Sequence, residues 1–314
     1  MDLLERVAAT GLLAPGAPVV VLLSGGRDSV CLLDVAVRLA GPAAVSALHV
    51  NYGLREAAGG DEELCRALCA RLGVELALQA AQRPEDAGNL QAWARDVRLG
   101  TGARLALERG AHLATGHTAS DQAETVLYRL AASPGRRALL GMAEREGLLL
   151  RPLLRVTREE TAAHCTARGL AWREDASNDD TAYARNRARA GLVPALRELH
   201  PAAEANVVRT AELLRDEAAV LDEVVRTALA GGDRIEVAHL AALPPALARL
   251  VVRRLAEDAA GRLCARAPGR LAEILALGDG ALDLGDGARA VVAGGVLRVE
   301  PTPAGPAAPA RAAP

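Results

Sequence analysis

The run Val19-Val20-Val21-Leu22-Leu23, followed at once by Ser24-Gly25-Gly26-Arg27-Asp28-Ser29, decides how this chain is read. Five apolar residues in succession, three of them β-branched, predict a short strand covered on both faces, as in a parallel sheet. Helical spacing over residues 29–39 follows, so the Ser-Gly-Gly turn joins a buried strand to a helix. Glycines let the backbone turn tightly and bring its N–H groups against an anion. The positive end of the helix points to the same place. Ser24 and Ser29 add hydroxyl donors, and the Asp28 carboxylate is placed to hold a magnesium ion (Mg2+) between phosphate oxygens. The turn therefore reads as a phosphate cradle, with an ordinary Ser-Gly turn as the competing reading. It is not a Gly-Lys-Ser/Thr loop and carries no G-x-G-x-x-G pattern.

Working outward, apolar runs at residues 44–50, 74–78 and 112–115 alternate with helical patterns at 61–72, 90–108 and 122–131. That alternation predicts βαβ units and an α/β fold with a mostly parallel, doubly wound, Rossmann-like sheet. A further apolar stretch at 148–154 leads into a helix over 158–168, and 174–183 reads as a loop. Beyond residue 201 the texture changes. Residues 204–229 read as one long helix, followed by shorter helices and Gly-punctuated β-like runs near 281–284 and 288–299. The expected organisation is a catalytic domain over 1–200, a helical linker over 201–230, a small α/β C-terminal domain over 231–300 and a disordered tail over 301–314.

Composition narrows the chemistry. All 37 basic residues are arginine, because the chain has no lysine, and the net charge is −2. Schiff-base and phosphate-loop lysine chemistry are thereby excluded. With two Trp, three Tyr and no Phe, base stacking on aromatic rings is scarce, so a nucleic acid would be gripped by arginine. The five cysteines form no framework, no run approaches the length of a membrane helix, and the N-terminus lacks a signal-peptide pattern, which suits a cytoplasmic protein. Cys65 and Cys69 have no partner set for a metal site.

The S-G-G-x-D-S turn resembles the PP-loop of the N-type ATP pyrophosphatases. Later segments resemble, within that superfamily, the tRNA(Ile)-lysidine synthetases. They are His49-Val50-Asn51-Tyr52-Gly53-Leu54-Arg55, Gly116-His117, Asp121-Gln122-Ala123-Glu124-Thr125, Arg151-Pro152-Leu153-Leu154, Glu174-Asp175 with Ser177-Asn178, and Arg185-Asn186-Arg187 with Arg189. The chain departs from the pattern at Asn51-Tyr52 (usually Asp-His), at Thr118 and Ser120 (usually His and Asp), and at Leu99 (usually Tyr). Between Ser133 and Met142 it keeps Gly135 and Gly141 but loses other glycines. Longer family members carry a further C-terminal domain, with no counterpart expected here.

The resemblance implies a ligase that uses ATP and Mg2+ to adenylate the wobble cytidine of a tRNA(Ile) with a CAU anticodon, then joins free L-lysine to carbon 2. Pyrophosphate and AMP leave. It implies ATP binding by Ser24, Gly25, Gly26, Arg27, Asp28, Ser29 and His49, with Asp28 as the metal ligand. Asp28, Asp121 and Glu124 are the expected catalytic residues, and His117, Asp121 and Glu124 the lysine-binding set. Without the resemblance, helix capping is the reading an acidic first turn favours. Arg95, Arg98, Arg185, Arg187 and Arg189 are expected to meet tRNA backbone or ATP phosphates, a solvated helix face being the alternative. Two other functions compete. A PP-loop tRNA thiolase generally carries a C-x-x-C pattern, absent here; a silent nucleotide- or RNA-binding module would predict a broken cradle. Oligomeric state is open, a homodimer included.

Overall fold

The computed structural model describes residues 2–53, 58–84, 88–132, 135–173 and 187–303. Leu54, Arg55, Ser133, Glu174, Asp175, Ser177, Asn178, Arg185 and Asn186, the 174–183 loop, and the tail from residue 304 lie outside the described residues. The chain divides into two compact units, 1–214 and 215–314.

The first unit is built on β1 (Val19–Leu22), β2 (Val45–Asn51), β3 (Glu75–Ala80), β4 (His112–Ala114), β5 (Arg145–Glu146) and β6 (Leu149–Leu150). Among the described residues these form one sheet in the order β3-β2-β1-β4-β6-β5, parallel except for the β5–β6 hairpin. The period-2 alternation of strand side chains splits the core in two. Val19, Val21, Val45 and Ala47 face one cluster with α1 (Leu3–Ala8), α2 (Arg27–Ala40), α3 (Ala58–Leu72) and α7 (Arg158–Ala167). Val20, Leu22, Leu48, Val50 and Leu113 face the other, which takes in Ala106 of α4 (Leu90–Glu108). Both faces are dry, which is why β1 reads as an unbroken apolar run rather than an alternating one.

Strand order positions the site. The chain winds from β1 outward through β2 to β3, then returns to place β4 on the opposite side of β1. That reversal is a topological switch point, where a crevice opens beyond the carboxyl ends of the strands. The turn after β1 and the segment between β4 and α5 (Ala119–Ala132) both emerge there, and the short α6 (Arg136–Leu139) follows α5.

α7 is tied to α2 by a buried carboxylate. Asp34 is 1% exposed and faces His164 Nε2 at 2.8 Å, with Arg168 3.5 Å away. Burial pushes the Asp34 carboxyl up, but the His164 hydrogen bond and the Arg168 charge outweigh it and hold it below the usual range. A carboxyl depressed on folding stabilises above its unfolded pKa, and that contribution fades as pH falls through the folded value. Asp34→Asn is therefore expected to cost about 2 kcal/mol at pH 7, with the gap to wild type closing below about pH 4. Thermal melts across that range check it.

After residue 187 come a π-helical turn (Ala188–Leu192), α8 (Val193–Leu199) and α9 (Ala203–Ala228), the last spanning the boundary between the two units. The second unit holds an antiparallel sheet in the order β7-β10-β9-β8, from β7 (Arg234–Glu236), β8 (Gly280–Gly285), β9 (Ala288–Ala293) and β10 (Val296–Pro301). α10 (Val237–Ala242), α11 (Pro245–Ala260) and α12 (Leu271–Leu275) complete it, and Val251, Val252, Leu255, Ile274, Leu284 and Leu297 form its core. The apolar run at 288–299 is two strands reversing at Gly294-Gly295, and β10 extends through Pro301. No helix among the described residues is long and apolar enough to cross a membrane.

Candidate functional site

The turn after β1 is a closed ring of hydrogen bonds. Ser29 Oγ donates to the Gly26 carbonyl at 2.8 Å and accepts from Ser24 N at 3.2 Å. The two serine hydroxyls lie 3.1 Å apart, and Gly26 N donates to Ser24 Oγ at 3.3 Å. Gly25 turns the chain with a φ of 83°, a left-handed conformation that glycine adopts without strain. α2 begins immediately after Gly26, and no side chain caps it. His49, at the end of β2, is 5% exposed and lies with Nδ1 2.9 Å from the Leu23 carbonyl. A carbonyl only accepts, so Nδ1 carries the proton of that hydrogen bond. The expected ATP-binding set of Ser24 to Ser29 and His49 is thus one contiguous feature.

Asp28 lies in the first turn of α2. Its carboxylate accepts a hydrogen bond from Thr161 Oγ1 of α7, with Arg158 Nε at 3.6 Å and Arg27 Nε at 3.7 Å. Burial drives its pKa up, with Asp121 reinforcing the rise against Thr161, Arg158 and Arg27. Among the described residues no three His, Cys, Asp or Glu side chains converge as a metal cage. A single carboxylate beside a phosphate loop still suits magnesium, which keeps its waters and takes one or two carboxylates plus substrate phosphates.

Gly116 closes the cradle from the β4 side. A Cβ there would lie 2.9 Å from the Asp28 carbonyl carbon and oxygen and 3.1 Å from Ser29 N. Only glycine lets the two loops approach this closely. Gly116→Ala is expected to leave the fold intact yet push the start of α2 aside, lowering ATP turnover about 10–100-fold. Melting temperature alongside pyrophosphate release checks it.

The acidic pair sits one loop further on. Thr118 and Asp121 form a reciprocal cap at the start of α5: Asp121 N donates to Thr118 Oγ1 at 3.3 Å, and Thr118 N to Asp121 Oδ2 at 2.9 Å. Capping uses Oδ2 alone. Oδ1 faces Arg158 Nη2 at 2.8 Å and Arg189 Nη2 at 3.5 Å. Burial pushes Asp121 up, but Arg158, His117 and the two Thr118 hydrogen bonds win and hold it below the usual carboxylate range. Glu124, one turn on and 3% exposed, takes Arg189 Nε at 2.7 Å and Arg158 Nη1 at 3.2 Å. His117 Nδ1 lies 2.8 Å from Thr115 Oγ1. Asp28, Asp121 and Glu124 are therefore one cluster, joined by Arg158.

Arg158 and Thr161 were not singled out in the sequence, although a signal was present. Thr157 and Glu160 form a capping box that makes Arg158 the first residue of α7. A cation there opposes the helix dipole and calls for a nearby anion. Gln122, between the two acids, is structural: it is 1% exposed, donates to the Met142 carbonyl at 2.8 Å and accepts from Met142 N at 2.7 Å. Arg151 is 4% exposed and secures the β5–β6 hairpin through the Ala143 carbonyl and Glu146.

A PP-loop domain family model matches residues 5–196. A tRNA(Ile)-lysidine synthase of Thermus thermophilus is 44% identical over 252 residues, 78% of this chain and 48% of that protein. The Salinispora tropica tRNA(Ile)-lysidine synthase is 39% identical over 315 residues, 93% of either chain. This chain belongs to the tRNA(Ile)-lysidine synthase family. It spans about half the length of the Thermus relative. Among solved structures, the U34-tRNA thiolase NcsA from Methanococcus maripaludis with its 4Fe-4S cluster has a TM-score of 0.57 at 18% identity, covering 68% of this chain and 77% of that one. That likeness shows the shared fold.

Within the lysidine synthase pattern, the departures have structural work of their own. Thr118 supplies the cap hydroxyl, and Ser120 Oγ accepts from Arg158 N at 3.3 Å, holding the start of α7 to α5. Tyr52 donates to the Ala94 carbonyl at 2.9 Å and meets Trp93 edge to face, with centroids 5.6 Å apart. Of the expected phosphate-binding arginines, Arg95 is exposed on α4 and Arg98 half-buried near it. No described contact links these two to the loop or the acidic pair. Arg187 borders a surface pocket with Leu127, Tyr128 and Leu192, whereas Arg189 turns inward to Glu124. All five cysteines are free and buried, and burial pushes Cys65 up to about 12 and Cys69 up to about 11.

Proposed function

We propose that this chain ligates free L-lysine to carbon 2 of the wobble cytidine in a tRNA(Ile) with a CAU anticodon, consuming ATP and releasing AMP and pyrophosphate. The observation that carries this reading is the meeting, at one sheet switch point, of a Ser-Gly-Gly turn at a helix N-terminus with two carboxylates, Glu124 buried and Asp121 half-buried. An anion cradle beside a cation trap suits a reaction that binds a polyphosphate and an ammonium together.

In the first step the cytidine carbonyl oxygen attacks the α-phosphate, and pyrophosphate leaves. The Ser24–Ser29 turn and the start of α2 hold the departing phosphates and stabilise the charge that develops on them. Asp28 would hold magnesium, which neutralises the leaving pyrophosphate when bound. In the second step the ε-amine of lysine displaces AMP. Asp121, held below the usual carboxylate range, stays ionised and binds the ammonium. Accepting the proton that must leave before attack falls to Glu124. Exposed Arg95, with Arg187, is assigned to tRNA phosphates, with the reaction in the cytoplasm where tRNA is found.

ATP-dependent attachment of labelled lysine to an isoleucine tRNA transcript tests the reading. Lysidine formation with stoichiometric AMP is the expected result. Binding of ATP and tRNA without attachment would make the chain a silent module, and sulfur incorporation would make it a thiolase.

A further inference from the structure

Arg158 touches both halves of the site at once. Its guanidinium lies 2.8 Å from Asp121 and 3.2 Å from Glu124 on the amine side, and 3.6 Å from Asp28 on the phosphate side. Its side chain is only 20% exposed. It is anchored by its own backbone, through the Ser120 hydroxyl and the first turn of α7, independently of its side-chain contacts. Arg189 lies beside the same two carboxylates, 2.7 Å from Glu124 and 3.5 Å from Asp121. In the described arrangement Arg158 therefore occupies the position an incoming ammonium needs.

We propose that Arg158 couples the two substrate pockets, a reading that rests on the function proposed above. Without nucleotide, its guanidinium neutralises Asp121 and Glu124 and competes with the cationic amine. A triphosphate seated on the Ser24–Ser29 turn brings several negative charges to the Asp28 side, where Arg158 Nε already lies. The guanidinium then swings toward the phosphates, leaving the acidic pair to the lysine ammonium. The amine pocket takes lysine more tightly when ATP is in place, so a preferred order of binding is built into one side chain. Because such coupling is reciprocal, lysine tightens ATP by the same factor. Arg158 acts here as a positioning residue, by controlling which charges the acidic pair sees.

Calorimetric titration of the full chain with L-lysine, with and without a non-hydrolysable ATP analogue and magnesium, tests the coupling. The analogue is expected to tighten lysine binding on the order of tenfold in the wild type. Arg158→Met should bind lysine equally well in both conditions. Arg158→Gln serves where the methionine variant does not fold, and is expected to behave alike. An arginine that merely supports the fold would lower stability yet leave the ratio of the two affinities unchanged. Retention of the wild-type ratio in either variant, or equal affinities in the wild type, overturns the coupling and leaves the proposed function standing. Absence of lysine binding in every condition overturns the function itself.

Discussion

Asp28→Asn is expected to reduce pyrophosphate release at least about 10³-fold while the protein stays folded. The isosteric amide can still accept the hydrogen bond from Thr161 Oγ1, so the α2–α7 contact survives. What disappears is the negative charge at the mouth of the phosphate turn, and with it the ligand for a cation bridging the leaving phosphates. Removing one preorganised electrostatic element from such a site typically costs about 10²–10³-fold, and here the metal ligand is lost too. Substitution at Asp28 also removes an anion on which Arg158 and Arg27 converge. Turnover measured at saturating ATP, with melting temperature as the control, decides the matter. Near-wild-type turnover would take Asp28 out of the chemistry.

Glu124→Gln is expected to act on the amine rather than on ATP. Glu124 is almost fully buried and is shared by two guanidiniums, Arg189 at 2.7 Å and Arg158 at 3.2 Å. Neutralising it leaves both arginines under-compensated in a half-dry site. Breaking a fully buried pair costs about 3–5 kcal/mol, and the partial exposure of both arginines reduces that here to about 1–3 kcal/mol. The larger effect is on lysine. With one of two carboxylates gone and no group left to accept its proton, the KM for lysine should rise about 100-fold and kcat should fall as well. The KM for ATP should stay within a few-fold of wild type. Steady-state kinetics with each substrate varied in turn separates the two, and an equal rise in both KM values would make Glu124 a general structural support.

The sheet was legible because β1 is an unbroken apolar run buried on both faces, and the mostly apolar β2 and β4 alternate with helical spacing. β5 and β6 were not, since two-residue strands in a hairpin leave no periodicity to read. The phosphate turn was legible because its function is local: two serines, two glycines and one aspartate within six residues make it. The acidic pair was legible only in part. Spacing placed Asp121 and Glu124 on one helix face, but did not show that Asp121 divides its oxygens between cap and cluster. Arg158 was the hard part, as was the inward turn of Arg189, which the sequence had pointed at phosphate. Each meets the acidic cluster through contacts 34 to 130 positions away in sequence, which no spacing rule encodes.

A crystal structure of the full chain with a non-hydrolysable ATP analogue and magnesium shows at once where the nucleotide sits. The β- and γ-phosphates are expected against the backbone of Ser24–Ser29, the cation on Asp28, and Arg158 turned from Asp121 toward the phosphates. Nucleotide bound elsewhere, with the turn after β1 empty, would contradict it.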